Sequence, residues 1–417
     1  MNRQRGMTMV ELLISVAIVM VIIGAATTAY LKILRTYKTQ GKLAENYMAN
    51  LTGLEMLRYD IEMAGFGLPA GLGAANYTEA SDGTVSYYNP ANLNDSPNTP
   101  PRALAHLDNS AAAAHNSDVL AIKSTSANVN ATSKRWSLIY DGGTPQVKQW
   151  NNSAMDFTAG PPSADNVIVI DFNGNLVLNA GQWCNAFKTA YFTNANPIAT
   201  GLNTSYVYYV YGLDNSTNGH RMPFNRVDYY LDKIPAQFPS TCAASTFTLY
   251  RSTIDQQTGN FDKAPLVDCV RDFQVAFGID PSGQNTQPIQ WQANLSQQPW
   301  MTNYIAGNQM SAWQIQTYLR EVRVFILYQD GLGDTSKSPS FRFSGTLNLG
   351  DQDIAHSLDP GVYPAPPNSF QQLSAAALPG ALSTFTPAGA DCQYRWKILE
   401  MDVKPMNLMN LPSGTPR

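Results

Sequence analysis

The chain is poor in charged side chains. They make up 14% of its 417 residues, about half the usual quarter, whereas hydrophobic residues reach 44%. Only 27 residues are Lys or Arg and the formal net charge is −4, so the sequence offers no basic surface for a polyanion. This scarcity argues against nucleic-acid binding, and it is unusual for a cytosolic enzyme.

Histidine and cysteine are also scarce and widely spaced. Four His and four Cys, with no CxxC pair, argue against a zinc site, and no P-loop, HExxH, GxSxG or GxGxxG motif occurs. We therefore predict no catalytic residue, no metal site and no cofactor. Residues 171–175 resemble a calcium loop but lack its distal Glu, so a hairpin turn is the better interpretation.

The even number of isolated cysteines fits one or two disulfides in an oxidising compartment. Three complete pairings are possible, and their spacing does not choose among them. Four buried thiols in a cytosolic protein are the alternative. The disulfide candidates are Cys184, Cys242, Cys269 and Cys392.

A long apolar run follows a short leader at the N-terminus. The leader, residues 1–6, contains Arg3 and Arg5 and ends at Gly6, and residues 12–31 carry no charged side chain. As an α-helix that run covers about 30 Å, enough to cross a bilayer core. A secretory signal would have a shorter apolar region followed by a small-residue cleavage site. We therefore predict a transmembrane segment over 12–31.

Glu11 breaks the pattern of a secretory signal. A carboxylate at the edge of a membrane span is costly and usually has a polar partner. Cleavage after Gly6 would create an α-amino group at Met7, four residues before Glu11, and this amine could neutralise a carboxylate on an adjacent subunit. Glycine at the cut has no Cβ to obstruct a protease.

Residues 5–14, Arg-Gly-Met-Thr-Met-Val-Glu-Leu-Leu-Ile, resemble the processing signature of type IV pilins and type II secretion pseudopilins. The resemblance implies that a prepilin peptidase cleaves after Gly6 and N-methylates Met7, which stands where Phe is usual. The uncut apolar helix would then serve as membrane anchor and later as filament core. The resemblance also implies that Glu11, the fifth mature residue, guides subunit docking. A signal anchor that happens to contain Gly and Glu is the alternative.

A helical pattern continues beyond the membrane run. Apolar residues recur every three or four positions at Leu43, Tyr47, Leu51, Leu54, Leu57 and Ile61. Gly65 and Pro69 then end the pattern. We predict one helix over 7–64, roughly 87 Å long, whose second half packs on a globular body. Residues 71–114 read as extended loops.

Short apolar or alternating runs, separated by turn residues, predict strands in the remaining chain. They lie at 119–122, 137–140, 167–170, 206–211, 227–231, 246–250, 273–277, 322–328 and 396–403, with a short helix at 310–319. The predicted fold is α+β and pilin-like, with a long N-terminal helix packed on a mostly antiparallel sheet carrying large loop insertions. Residues 65–417 would form this β-rich body, large enough for two subdomains.

Several parts of the body resemble PilW-type minor pilins, which are related to J-type minor pseudopilins. The matching stretches are 58–67, 117–123, 227–231, 266–280 and 394–403. Residues 124–220 and 330–390 match no pattern of that family and are interpreted as variable insertions.

The resemblance implies a minor pilin that helps to initiate assembly of a type IV pilus, at its tip or in the priming complex. The implied partners are the prepilin peptidase, other minor pilins, the major pilin, the inner-membrane assembly platform and the lipid bilayer. The body would be periplasmic; basic residues flank the span on both sides, so the charge count alone does not decide the orientation. The alternatives are a minor pseudopilin of a type II secretion system and a pilin-stemmed adhesin or binding module.

Overall fold

The computed structural model describes residues 9–81, 87–108, 116–141, 145–159, 164–179, 181–187, 207–214, 219–284, 289–331, 333, 346–349 and 382–409. The predicted processing residues Gly6 and Met7, and much of the predicted insertion 330–390, lie outside these ranges. The chain divides into two compact units, Met1–Thr52 and Gly53–Arg417.

The N-terminal helix α1 spans Met9–Glu62. It agrees with the predicted helix 7–64, and it ends where Gly65 takes a left-handed backbone conformation with φ +83°. A Cβ on Gly65 would lie 2.7 Å from a methyl carbon of Leu408, so a side chain there would also require Leu408 to shift. Leu54, Leu57 and Ile61 are buried as predicted, whereas Leu51 is 49% exposed. The side chains of residues 43 and 47 lie outside the described part of the chain.

The principal sheet of the second unit has eight antiparallel strands. They are β1 (Leu104–Leu107), β2 (Val119–Ser124), β8 (Asn225–Asp232), β9 (Phe247–Ile254), β10 (Phe261–Ile279), β11 (Gln290–Gln292), β12 (Leu319–Gln329) and β15 (Trp396–Val403). The spatial order is β1-β2-β8-β9-β10-β12-β15, and β11 pairs with β10. All neighbouring strands pair antiparallel, although only β9 and β10 are joined by a short turn, at 255–260.

The central strands of this sheet are buried on both faces. Along β12, Val322 and Ile326 pack in the core that contains the end of α1, while Phe325 and Leu327 point into a second core. Burial on both faces explains why this strand reads as an almost unbroken apolar run. Helix α2 (Ala312–Tyr318) precedes β12 and begins with a capping box, which confirms the helix predicted over 310–319.

A second sheet of five antiparallel strands lies within the predicted insertion 124–220. Its members are β3 (Trp136–Asp141), β4 (Pro145–Val147), β5 (Asn166–Ile170), β6 (Asn185–Ala186) and β7 (Tyr208–Asp214), in the order β4-β3-β7-β5-β6. Side chains of β5 alternate between two apolar clusters, with Ile168 and Ile170 in one and Val167 and Val169 in the other. The predicted insertion therefore contains a sheet with one apolar cluster of its own, and the other cluster is shared with residues 72–80 and 222–254.

Smaller elements complete the described chain. Strands β13 (Leu347–Leu349) and β14 (Ser383–Phe385) form a two-stranded sheet, and α3 (Met406–Met409) is a single helical turn. The turn predicted at 171–175 is confirmed, because the Asp171 carboxylate accepts the backbone N–H groups of Asn173 and Asn175 at 2.9 and 2.7 Å.

Two expectations about strands need correction. The stretch 71–114 was expected to be loop throughout, yet β1 forms there because Leu104–Leu107 pairs in register with Ile122–Val119 of β2. Strand β10 has 19 residues, whereas the apolar pattern predicted only 273–277. Many side chains in its first half are exposed or only partly buried, so they form no apolar pattern in the sequence. This half is a strand because its backbone pairs with β9 through hydrogen bonds, which the sequence pattern does not report.

Candidate functional site

The first candidate site is the apolar segment of α1, Met9–Leu34, which is long and apolar enough to cross a membrane. None of it is buried, and large aliphatic side chains such as Met20 and Val21 are 68% and 72% exposed. Exposed apolar area costs about 25 cal/mol per Å² in water, so a continuous run of this kind requires lipid or a protein partner.

The few polar side chains of the apolar segment are compatible with a membrane. The hydroxyls of Ser15, Thr27 and Thr28 donate hydrogen bonds of 2.8–2.9 Å to backbone carbonyls one turn earlier in α1. Each hydroxyl is satisfied within the helix and does not require water. In hydrocarbon an unsatisfied polar group would cost several kcal/mol, so these contacts keep the segment suitable for lipid.

Glu11 lies in the first turn of α1, where the helix dipole favours a negative charge. The side chain is exposed. Its position is thus suited to contact a group outside this chain. Its role in docking, like the processing roles of Gly6 and Met7, stays a prediction.

The C-terminal end of α1, residues 53–62, belongs to the second unit and packs on the principal sheet. Gly53 makes the closest approach, because a Cβ at this position would lie 2.7 Å from the backbone oxygen of Leu266 and 2.9 Å from its Cγ. Leu57 and Ile61 continue the contact and are completely buried. Sequence periodicity predicted the leucine and isoleucine contacts but not the need for glycine at 53.

Asp60 adds a polar contact to this apolar interface. It is 3% exposed, and its Oδ2 accepts hydrogen bonds from the Tyr229 hydroxyl at 2.6 Å and from Nε of Arg251 at 2.7 Å. Burial, reinforced by the Asp60 charge, raises the pKa of Tyr229 well above its ordinary value, so the hydroxyl keeps its proton and donates it. The three side chains join α1 to strands β8 and β9.

A second buried group of charges, which we call the charge cluster, contains three cations and three carboxylates. Its members are Glu79, Asp95, Arg102, Lys123, Arg226 and Asp228. Nζ of Lys123 lies 2.6 Å from Asp95 and 2.8 Å from Glu79, and Arg226 binds Asp228 through two 2.7 Å contacts. The opposite charges balance, which is the condition for burying ions at tolerable cost.

Strands β2 and β8 supply Lys123, Arg226 and Asp228, and the irregular segment before β1 supplies the other members of the charge cluster. Burial opposes ionisation of Asp95, but Lys123 and Arg102 outweigh it and lower its pKa below the ordinary 3.8. The cluster therefore holds the described segments around Glu79, Asp95 and Arg102 against the sheet. The sequence offered no signal for it beyond the polar residues themselves.

The structure contains one disulfide, between Cys242 and Cys269, whose Cα atoms are 5.0 Å apart. It joins the segment before β9 to β10 and closes a loop of sequence separation 27. Cys184 and Cys392 are free thiols. The sequence left the pairing open, and the structure contains the bridge Cys242–Cys269, whereas Cys184 and Cys392 form no disulfide.

The residues that the structure describes contain no group of three or more His, Cys, Asp or Glu side chains placed to hold a metal ion. A shallow groove beside the end of α1 has a volume of about 460 Å³ and is lined mainly by charged side chains, among them Glu55, Glu321 and Lys404. Small-molecule sites are usually apolar pockets with a few converging polar groups, and this charged groove does not have that form.

Comparison with known protein families identifies a motif at the N-terminus. Residues 1–27 match the family described as "Prokaryotic N-terminal methylation motif". No curated protein and no solved structure matches the chain. The chain thus carries a prepilin-type signal on an apolar helix, followed by a mostly antiparallel β body. This combination supports a pilin-like or pseudopilin protein with a structural role, processed by a prepilin peptidase and anchored in the membrane by the apolar segment of α1.

Proposed function

We propose that this chain is a minor pilin that helps to initiate assembly of a type IV pilus. The observation that carries the proposal is the methylation motif at residues 1–27, in register with an exposed apolar helix that continues into a folded body. In this proposal the peptidase cleaves after Gly6, Met7 becomes the methylated terminus, and the β-rich body lies in the periplasm.

Glu11 is proposed to select the docking position of the subunit. A carboxylate near the centre of a bilayer costs about 2.5–3.5 kcal/mol, and less near the interface. Pairing with the terminal amine of a neighbouring subunit removes that cost only in the assembled state. The charge therefore favours assembly over isolated subunits in lipid.

The end of α1 is proposed to carry load between the apolar segment and the body. The helix is continuous from Met9 to Glu62, and its last turns are held by Leu57, Ile61 and Asp60. A force that acts on the apolar segment during extraction from the membrane would thus be transmitted to the sheet, first through the helix backbone and then through the buried contacts at the end of α1.

The size of the body favours a position at the end of a filament. The second unit, Gly53–Arg417, is large compared with the space that a close-packed helical shaft leaves for each repeated subunit. A single copy at the tip or in the priming complex avoids that crowding. This supports a minor pilin over the repeating subunit.

The proposal is tested by Glu11→Ala in cells that make the complete filament. The variant should insert in the membrane, be cleaved after Gly6 and keep its folded body, but it should lose copurification with other pilins and reduce pilus number. Glu11→Asp, with a shorter reach, should be intermediate. Glu55→Ala is the matched control, because Glu55 is an exposed carboxylate on the same helix outside the apolar segment.

Three results would count against the proposal. Filament number and copurification at wild-type level in Glu11→Ala would remove the docking role. Normal cleavage of a Gly6→Leu variant, read by intact mass, would remove the processing site. Crosslinked complexes that contain secretion components and no pilins would assign the chain to a type II secretion system instead.

A further inference from the structure

Cys184, one of the two free cysteines, forms a hydrogen-bonded chain with a histidine and an aspartate. Its Sγ lies 3.3 Å from Nδ1 of His220, and Nε2 of the same ring lies 2.5 Å from Oδ1 of Asp214. The three residues come from different segments: Cys184 immediately precedes β6, Asp214 ends β7, and His220 lies between β7 and β8. Pairing of β5 with both β6 and β7 brings these segments to the same end of the five-stranded sheet.

The chain of hydrogen bonds has a defined direction. The Asp214 carboxylate can only accept, so in the neutral imidazole Nε2 of His220 carries the proton and Nδ1 is left as an acceptor for the Cys184 thiol. Asn166 donates a further hydrogen bond to Asp214 at 3.4 Å. The imidazole side chain is 4% exposed and the Asp214 side chain 11%, so both are held in place by the surrounding protein.

Cys184 is a partly buried residue, and its Sγ lies beside Nδ1 of His220. Burial, and then the charge of Asp214, raise the pKa of the Cys184 thiol to about 12. The resting thiol therefore keeps its proton at neutral pH. Its reactivity must depend on a base that removes this proton during attack, and Nδ1 of His220 lies within reach.

We propose that Cys184, His220 and Asp214 form an acyl-accepting site in which a histidine-assisted thiol attacks activated esters. Sγ forms a bond to the acyl carbon while the thiol proton moves to Nδ1 of His220. The bond from the acyl carbon to the leaving oxygen then breaks, and the proton on Nδ1 passes to that oxygen. The products are an S-acyl Cys184 and an alcohol.

In this site Cys184 is the nucleophile, His220 is the base and Asp214 is a positioning residue that sets the imidazole tautomer. The site goes beyond the assembly role, because its three residues lie at one end of the five-stranded sheet and none of them is on α1. Its chemistry would allow the body of a surface-assembled protein to take up an acyl group covalently.

The experiment uses the full chain in detergent with p-nitrophenyl acetate at neutral pH. Acetylation at Cys184 is followed by mass spectrometry of its peptide, in a Cys392→Ser background that leaves one free thiol. His220→Gln should slow acetylation of Cys184 by about 100-fold or more, and Asp214→Asn by about tenfold or more. His106→Gln is the matched control, because it removes another buried His–Asp pair that has no part in this site.

Several outcomes would overturn the site. Acetylation of Cys184 at the same rate in wild type and His220→Gln shows that the histidine is not a base. A Cys184 that is already disulfide-bonded in the purified protein, or that reacts no faster than Cys392 does in the wild-type protein, also refutes it. If His220→Gln alters the near-ultraviolet circular dichroism, Asp214→Asn decides, and an unchanged rate in that folded variant is a refutation.

Discussion

Replacing Asp60 by Ala removes the acceptor of two hydrogen bonds at the interface between α1 and the principal sheet. The carboxylate is 3% exposed, and both the Tyr229 hydroxyl and Arg251 Nε lie within 2.7 Å of it. After the substitution the Arg251 side chain, 5% exposed, would lose the carboxylate with which it pairs. The change therefore tests whether charge, in addition to apolar contact, holds the end of α1.

The expected loss follows from the burial of the pair. Removing one partner of a buried ion pair costs about 3–5 kcal/mol, since the other charge is left without compensation. At about 1.4 kcal/mol per factor of ten, this increases the unfolding equilibrium constant at least 100-fold. Asp60→Asn keeps an oxygen for Tyr229 but loses the charge, so we expect a smaller loss of about 1.5–3 kcal/mol.

The assay is urea unfolding of the full chain in detergent, followed by tryptophan fluorescence. Trp291 and Trp396 report on the body, since both are less than a tenth exposed. Glu62→Gln is the matched control on the same helix. Glu62 pairs with Arg58 at 3.0 Å on the exposed face, where such a pair contributes about 0.3–0.5 kcal/mol.

A double substitution sharpens the test. Asp60→Leu combined with Arg251→Met replaces both charges by apolar groups, which is often neutral or stabilising for a buried pair. The double variant should therefore be more stable than Asp60→Ala. If Asp60→Ala unfolds at the same urea concentration as Glu62→Gln, the ion pair does not hold the helix and the reasoning is refuted.

Three further outcomes are expected. Replacing Cys242 and Cys269 together by Ser should cost about 3–4 kcal/mol in urea unfolding, as loop closure over a separation of 27 implies. Gly53→Ala should lower the thermal midpoint, because overpacking against Leu266 outweighs the gain of about 1 kcal/mol in helix propensity. Gly24→Ala, where a Cβ has open space around it, should not lower the midpoint. The pKa of Asp95 is lowered by folding, so its contribution to stability should be present above about pH 4 and be lost as pH falls through the folded value; Asp95→Asn should reduce this acid sensitivity.

Local pattern was enough to predict the helix and most of the strands. The apolar run, the three-to-four residue spacing and the glycine that ends α1 are all contained in neighbouring residues, so the predicted helix 7–64 closely matches Met9–Glu62. Strands with apolar or alternating side chains, such as β5 and β12, were predicted for the same reason. Strand β1 and the first half of β10 were missed because cross-strand pairing defines them.

The N-terminal signal is also a local property. The leader, the glycine, the carboxylate and most of the apolar run lie within residues 1–27. The family comparison matches the same residues from which the signal was predicted. The docking and processing roles of Glu11, Gly6 and Met7 involve other proteins. They therefore depend on the experiments proposed above.

The contacts that organise the body depend on residues far apart in the chain. Asp60 meets Tyr229 and Arg251 across 169 and 191 positions, and the disulfide is one of several pairings that cysteine spacing allowed. Cys184 and His220 are 36 positions apart and meet only because β5, β6 and β7 share a sheet. Periodicity reports which side of an element is apolar, but not which distant polar group lies opposite. Only the tertiary structure decides those partners, because desolvation and hydrogen bonding act between atoms in space, whatever their order along the chain.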